Sequence, residues 1–313
     1  MQSNFKNMQS SKPLVKCTHN KKFYYRNKWY GYAMLAPGFI LLTIFVMVPF
    51  IIALYRSLTD YFAYNDNVQF VWFRNYIRIL QDDSFFKSLK NVVLMTLVYT
   101  VIMVLISFGF AFVLKRLSPR MASLTKIVCY LPFLISGIVL AIIFLFIFSN
   151  NGLINALRVN NGLERIVFNQ DGIWPYIIII FPLIWGGFGY NSLVMLAGLL
   201  TTPKDYYEAA EMDGANAWQK LFSITIPCMK NYFVLVIINL ITSGLQMFEL
   251  PLMMTGGGPL EKTLTPVLFI FLQKQNPSLQ ECEIMAGSIL IMIPIALINI
   301  LVFKVIRSEK SMD

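Results

Sequence analysis

The sequence predicts an all-α integral membrane protein with about six transmembrane helices and one long polar connection, 201–230, deep in the chain. Three observations predict it. Hydrophobic residues make up 57% of the 313 and charged residues only 13%, with mean hydropathy +0.62, outside the range of ordinary soluble domains. Six runs reach the roughly 20 apolar residues that a bilayer crossing needs, at 32–55, 91–114, 127–148, 174–200, 232–254 and 284–303. The net charge of +10 collects in the N-terminal tail and at the ends of those runs, a pattern of membrane orientation rather than of nucleic-acid binding.

Residues 1–30 form a basic tail with Lys6, Lys12, Lys16, Lys21, Lys22, Arg26 and Lys28, expected to be disordered and to face lipid headgroups. Trp29 and Tyr30 suit the membrane interface. The first run follows this tail and is long enough to span, so it is expected to be a retained signal anchor opening a transmembrane domain at 31–307. A lone strand would leave backbone groups unpaired in lipid, so each run is expected to be helical. Pro37, Pro49, Pro132, Pro182, Gly186, Gly187, Gly189, Gly244, Pro251 and Pro294 interrupt the runs. They mark kinks and close helix contacts, or a translocation path built from bent helices. Phe85 to Leu89 is expected to be a short helix at the outer surface, and Asn150 to Asp171 an outer loop.

Orientation follows from the basic residues. With the N-terminus inside, nine of the 26 lysines and arginines fall outside: Arg56, Arg74, Arg78, Lys87, Lys90, Arg158, Arg165, Lys262 and Lys274. The other 17 fall inside, which predicts cytoplasmic termini, a C-terminal tail at 308–313, and a cytoplasmic 201–230 loop.

Several chemistries are excluded. His19 is the single histidine, and Cys17, Cys129, Cys228 and Cys282 lack metal-binding spacing, so neither a metal site nor a disulfide framework is expected. There is no Gly-x-x-x-x-Gly-Lys-Ser/Thr phosphate loop, and Gly256-Gly257-Gly258-Pro259 reads as a turn. The chain is expected to be no enzyme and to hold no cofactor. An intramembrane enzyme is disfavoured by the missing histidine and the lack of clustered carboxylates. Uphill transport would then draw on a partner's ATP hydrolysis or on an ion gradient. Ion-coupled carriers hold several intramembrane charges; here Glu249 stands nearly alone, toward the outer end of its run. Tyr190, Asn191, Ser192, Asn239, Ser243, Gln246 and Glu249 are the polar groups available to line a path. Amides that donate and accept, beside aromatic faces, suit neutral polyols. Without lysine or arginine in the runs, an anionic phosphate ester is disfavoured.

In the 201–230 loop, Thr202 is a predicted N-cap and Pro203 a first helical residue. Gly214 supplies the positive φ of a helix stop. Ala217, Trp218, Leu221, Phe222 and Ile224 then share one helical face, and Pro227 closes the second helix. Glu208, Ala209, Ala210, Gly214, Ile224 and Pro227 also stand at the spacing of the EAA loop, and this stretch resembles that loop in permease subunits of binding-protein-dependent ABC importers. Ile226 replaces the usual leucine. Trp72-Phe73-Arg74-Asn75-Tyr76 with Phe85 and Phe86, Trp185-Gly186-Gly187-Phe188-Gly189-Tyr190-Asn191, and Thr255-Gly256-Gly257-Gly258-Pro259 resemble the sugar-permease branch. Phe248-Glu249-Leu250 keeps, with one more methylene, a charge common there as Asp.

The resemblance implies a cytoplasmic coupling-helix loop seated in a cleft of an ATPase, with Glu208 engaging a basic residue there and Gly214 forming the elbow. It further implies a second permease subunit in a heterodimer and two cytoplasmic ATPase subunits that bind ATP and magnesium. An extracytoplasmic solute-binding protein would deliver a sugar, expected to be an oligosaccharide. A glycerol-phosphate permease and an ion-coupled carrier are the alternatives.

Overall fold

The computed structural model describes residues 21–60, 68–170, 172–274 and 281–309, with side chains described between residues 30 and 301. The first twenty residues of the basic tail and residues 310–313 of the C-terminal tail lie outside the described residues.

The chain forms two compact units, residues 1–53 and 54–313. In the first, α1 (Lys21–Leu42) runs through a π-helical turn, Thr43–Met47, into α2 (Val48–Ser57). The tail expected to be disordered is therefore helical from Lys21, because a helix nucleated by the span propagates at little cost through lysine and arginine. The π turn has a covalent cause. Pro49 has no N–H for the Phe45 carbonyl, and the bonding shifts by one residue, with the Val48 N–H donating to the Thr43 carbonyl.

The second unit holds α3 (Arg74–Leu80), α4 (Asp83–Arg116), α5 (Pro119–Tyr130), α6 (Gly137–Phe148), α7 (Leu153–Asn160) and α8 (Trp174–Thr201). It continues with α9 (Lys204–Met212), α10 (Ala217–Lys220), α11 (Ile226–Cys228), α12 (Lys230–Leu245), α13 (Glu249–Met254), α14 (Pro266–Gln273) and α15 (Glu281–Glu309). Among the described residues five helical stretches are long and apolar enough to cross a membrane, at Tyr30–Ser57, Asp83–Arg116, Gly137–Asn160, Trp174–Thr201 and Glu281–Leu301. The pair Ala217–Cys228 and Lys230–Leu245, bent by 70°, makes a sixth if counted as one span.

Three expectations need correction. Phe85 to Leu89 is not a separate helix but the first turns of α4, because the Asp82 side chain accepts from the Ser84 and Phe85 N–H groups and nothing interrupts the run that follows. The short separate helix is α3. The expected span 127–148 is broken: α5 tightens into a 3-10 turn at Leu131–Leu134 around Pro132, Ile135 and Ser136 are extended, and the Ser136 hydroxyl caps α6. The expected span 232–254 breaks at Gln246–Phe248. Pro251 would interrupt a continuous helix there, whereas in the first turn of α13 its missing N–H leaves no bond unmade. The stretch expected to be an outer loop, from Asn150, contains α7, and Asn155 stitches it to the segment that follows by exchanging two 2.8 Å hydrogen bonds with the Ile166 backbone.

The core lies where α4 and α8 run together, with α12 against α4. Met95 and Met103 of α4, Ile179, Met195 and Leu199 of α8, and Val236 of α12 are buried there. Close approach is absolute at Gly189, where a β-carbon would fall on the backbone carbonyl of Cys129 in α5.

At the other end of α2, Asn75 is buried and donates to the carbonyls of Ser57 (2.8 Å) and Thr59 (2.9 Å), while Ser57 and Tyr76 share a 2.7 Å hydroxyl contact. Asn75→Ala leaves two buried carbonyls without their donor. It is expected to cost roughly 2 kcal/mol, read as a lower unfolding midpoint of the detergent-purified chain.

The glycine-rich turn is tied to α4 in a similar way. The Glu261 carboxylate accepts from Ser84 Oγ (2.6 Å) and Lys87 Nζ (3.0 Å), and Asn91 Nδ2 donates to the Glu261 carbonyl (2.6 Å). The Ser84 hydroxyl first, then Lys87, holds the Glu261 carboxyl below its usual value. A depressed folded value adds stability above the unfolded pKa of about 4.3, and that stability is lost as pH falls through the folded value. Ser84→Ala is expected to flatten this acid-side decline, measured as the unfolding midpoint between about pH 3 and pH 6. The effect is small because the Glu261 side chain is 39% exposed.

Candidate functional site: the 201–230 elbow and a paired cavity

The elbow is built from its own sequence. Asp213 stands at the end of α9, Gly214 takes φ +75, the Gly214 N–H donates to the Glu211 carbonyl, and the Ala215 N–H donates to that of Ala210. This is the paired bonding of a Schellman stop, in which a left-handed residue satisfies the last carbonyls of a helix. Asn216 then opens the second helix with a full capping box, its side chain taking the Gln219 N–H while Gln219 returns a bond to the Asn216 N–H. Lys220 Nζ meets Glu211 Oε1 at 2.8 Å across the bend.

The second helix widens into a π turn at Leu221–Thr225, where the Ile226 N–H donates to the Leu221 carbonyl. Pro227 is the cause, as Pro49 is in the first unit, since it cannot donate to Ser223. The helix continues to Cys228 rather than closing at Pro227, and the 70° bend follows at Met229. Thr202 is not an N-cap: it ends α8, its hydroxyl turned back to the Gly198 carbonyl at 3.4 Å, and Pro203 rather than Thr202 precedes α9.

Glu208 lies in the second turn of α9, where Asp205 is the acidic residue of the first, so the helix dipole does not account for it. It is exposed and has no ion pair among the described residues. Elsewhere on the elbow Tyr206, Met212, Trp218 and Phe222 are also exposed, with Trp218 and Phe222 stacked at 6.0 Å. Ile224 is half-buried and Pro227 exposed. A carboxylate and several large exposed apolar side chains on one bonded elbow have the composition of a protein-docking surface.

Sequence reasoning missed how this elbow is attached. The Tyr207 and Thr225 hydroxyls meet at 2.9 Å with Thr225 buried, and Lys115 of α4 lies 5.4 Å over the Tyr207 ring while donating to the Leu199 carbonyl. The two limbs of the elbow are thus joined to each other and to the ends of α4 and α8. A Tyr next to Glu208 and a basic residue ending a span were visible signals, but their meeting was not.

The path residues divide between two adjoining cavities. The first, about 430 Å³, is lined by Tyr190 and Asn191 of α8 and Asn239 and Ser243 of α12, together with Tyr99, Pro132 and Phe133. The Phe133 and Tyr190 rings stack at 4.7 Å and 11°. Asn191 donates to the Gly187 carbonyl, which leaves its oxygen to accept. The second, about 520 Å³, is lined by Gln246, Glu249, Met247, Phe248 and Gly137. Leu140 and Leu183 line both. Ser192 lines neither, being buried with its hydroxyl donated to the Phe188 carbonyl. Tyr99 and Phe133 were missed, since an aromatic residue in an apolar run carries no mark of facing a cavity. Among the described residues the linings hold one charged side chain, Glu249, and no lysine or arginine.

Residues 123–308 match the family described as binding-protein-dependent transport system inner membrane component. The chain is 31% identical over 242 residues to the sulfoquinovosyl glycerol transport system permease protein of Agrobacterium fabrum (strain C58), covering 76% of this chain and 77% of that one. It is 29% identical over 255 residues to the lactose transport system permease protein of Rhizobium radiobacter, covering 80% and 84%. The fold matches a chain of a bacterial ABC transporter involved in the import of the acidic polysaccharide alginate with TM-score 0.76 at 22% identity, over 92% of this chain and 98% of that one.

Proposed function

Because the chain belongs to the family of inner membrane components of binding-protein-dependent transport systems, we propose that it is the membrane-spanning permease subunit of an ATP-driven sugar importer, with an oligosaccharide as its solute. It is a multi-pass membrane protein and no enzyme. The observation that carries the assignment to an ATP-driven system is the elbow: an exposed Glu208 and an apolar rim on a bonded turn, tied through Tyr207 and Lys115 to the spans. In this reading the loop is cytoplasmic, as are both termini, and seats in an ATPase subunit. Two such subunits bind ATP and magnesium, a second permease completes the path, and an extracytoplasmic solute-binding protein delivers the sugar.

The elbow then acts as a lever. Glu208 forms a charge-assisted contact with a basic residue of the ATPase, and closure of the ATPase pair moves α9 to α11 as one body because Lys220–Glu211 and Tyr207–Thr225 brace it. Lys115 and the Leu199 carbonyl pass the displacement to α4 and α8, which switches the cavities between the two sides.

The solute class is supported by the lactose relative and by the chemistry of the linings. Asn191, Asn239 and Gln246 offer paired donors and acceptors, and the Tyr190–Phe133 stack offers a flat face for a sugar ring. A phosphate ester would find one carboxylate and no cation, so the glycerol-phosphate alternative is disfavoured. Uptake of labelled oligosaccharide and of glycerol 3-phosphate by cells carrying or lacking this gene tests the proposal. Vanadate-sensitive, gene-dependent oligosaccharide uptake is the expected result, and gene-dependent uptake of glycerol 3-phosphate alone overturns it.

A further inference from the structure

The breaks in two helices meet at one place. α13, which begins after the break at Gln246–Phe248, packs against α6, which begins after the break at Ile135–Ser136. The boundary between the two cavities runs through this contact, since Leu140 of α6 lines both. At Gly137, the first residue of α6, a β-carbon would fall on the Glu249 carboxylate, the movable end of a flexible side chain. That carboxylate therefore lies directly over the first turn of α6. The opening N–H groups of a helix lack intrahelical acceptors, and the end carries partial positive charge. Ser136 serves one of them, the Val139 N–H, at 3.4 Å. Glu249 itself stays exposed to the cavity, so its carboxylate keeps its hydration while the partial positive charge of that turn favours it there.

Resting on the reading of this chain as a permease driven by a separate ATPase, we propose that Glu249 is a positioning residue. Its carboxylate, seated on Gly137, ties the two broken helices together and holds the boundary between the cavities in one register until the ATP-driven movement separates them. The tie accounts for a single charge persisting in an apolar run.

The ideal Gly137 β-carbon lies 3.5 Å from that of Glu249, within the span a disulfide bridges. The test pairs Gly137→Cys with Glu249→Cys in the assembled transporter, with Cys17, Cys129, Cys228 and Cys282 changed to serine. Mild oxidation of resting membranes is expected to cross-link the pair. Trapping with ATP and vanadate is expected to lower the yield by at least about fivefold, the lower edge of ordinary coupling between states. The cross-link is expected to stop uptake, and dithiothreitol to restore it. Failure to cross-link, equal cross-linking in both states, or normal uptake through the cross-linked protein overturns the tie. Glu249→Gln gives a second measure: uptake is expected to fall while ATP hydrolysis without solute rises, at unchanged membrane abundance. Unchanged uptake and hydrolysis in that variant also overturn it. If wild-type uptake proves insensitive to vanadate, the permease reading itself fails. A vanadate-sensitive wild type with an unresponsive cross-link removes only the tie.

Discussion

Glu208→Lys and Gly214→Pro are each expected to lower uptake by roughly two orders of magnitude, the scale on which an ångström of misplacement is felt in a coupled machine, while the chain stays in the membrane at its normal level. The two act differently. Glu208 is exposed, so reversing its charge leaves the elbow folded and replaces an attraction with a repulsion at the ATPase surface. Gly214 holds φ +75 and donates its N–H to the Glu211 carbonyl. Proline has neither that conformation nor that donor, so the helix stop is lost and α9 and α10 change their mutual angle. Co-purification with the ATPase separates the outcomes: both variants are expected to lose it, and Glu208→Gln to retain part. Full uptake with either variant, at wild-type abundance, would sink the coupling role.

Blocking the first cavity gives the second large effect. Asn239→Trp brings roughly 200 Å² of aromatic surface into a space of about 430 Å³ shared with Tyr190, Asn191 and Ser243. Uptake is expected to fall at least about tenfold, or some 1.4 kcal/mol of barrier. The ATPase should remain bound and active, because the elbow is untouched. Asn239→Ala, which removes a polar contact without filling space, should raise KM more than it lowers maximal rate. Equal uptake by the Trp variant would place the path elsewhere.

Part of the 201–230 elbow's local structure was legible from residue order alone. Gly214 is a local signal, because a helix stop is decided within a few residues, whereas the Asn216 cap went unread and Pro227, expected to close its helix, is followed by Cys228 in the same helix. The ends were read less well. Thr202 had the chemistry of an N-cap, yet its hydroxyl turned back to Gly198, since a carbonyl at the end of a long apolar helix competes for the same donor. Phe85 and Phe86 suggested a separate surface element, but Asp82 caps a helix that runs unbroken into the span. Ser192 carries the same hydroxyl as Ser243. Both donate to their own helix, yet only Ser243 lines the cavity, and nothing in their neighbours distinguishes them.

Pro37, Pro182 and Pro294, expected to interrupt their runs, lie inside continuous helices, but the amino-acid order by itself determined a helical membrane protein and its bent polar loop. Each of these follows from run length or backbone chemistry that needs no distant partner. Which faces meet was decided only by the tertiary structure: the stack of Phe133 on Tyr190, Tyr99 at the same cavity, and Glu249 seated over Gly137. In a soluble helix the buried stripe is apolar and the rest polar, so its inward face can be read off the sequence. In a membrane bundle the lipid-facing and core-facing sides are equally apolar, and that signal vanishes.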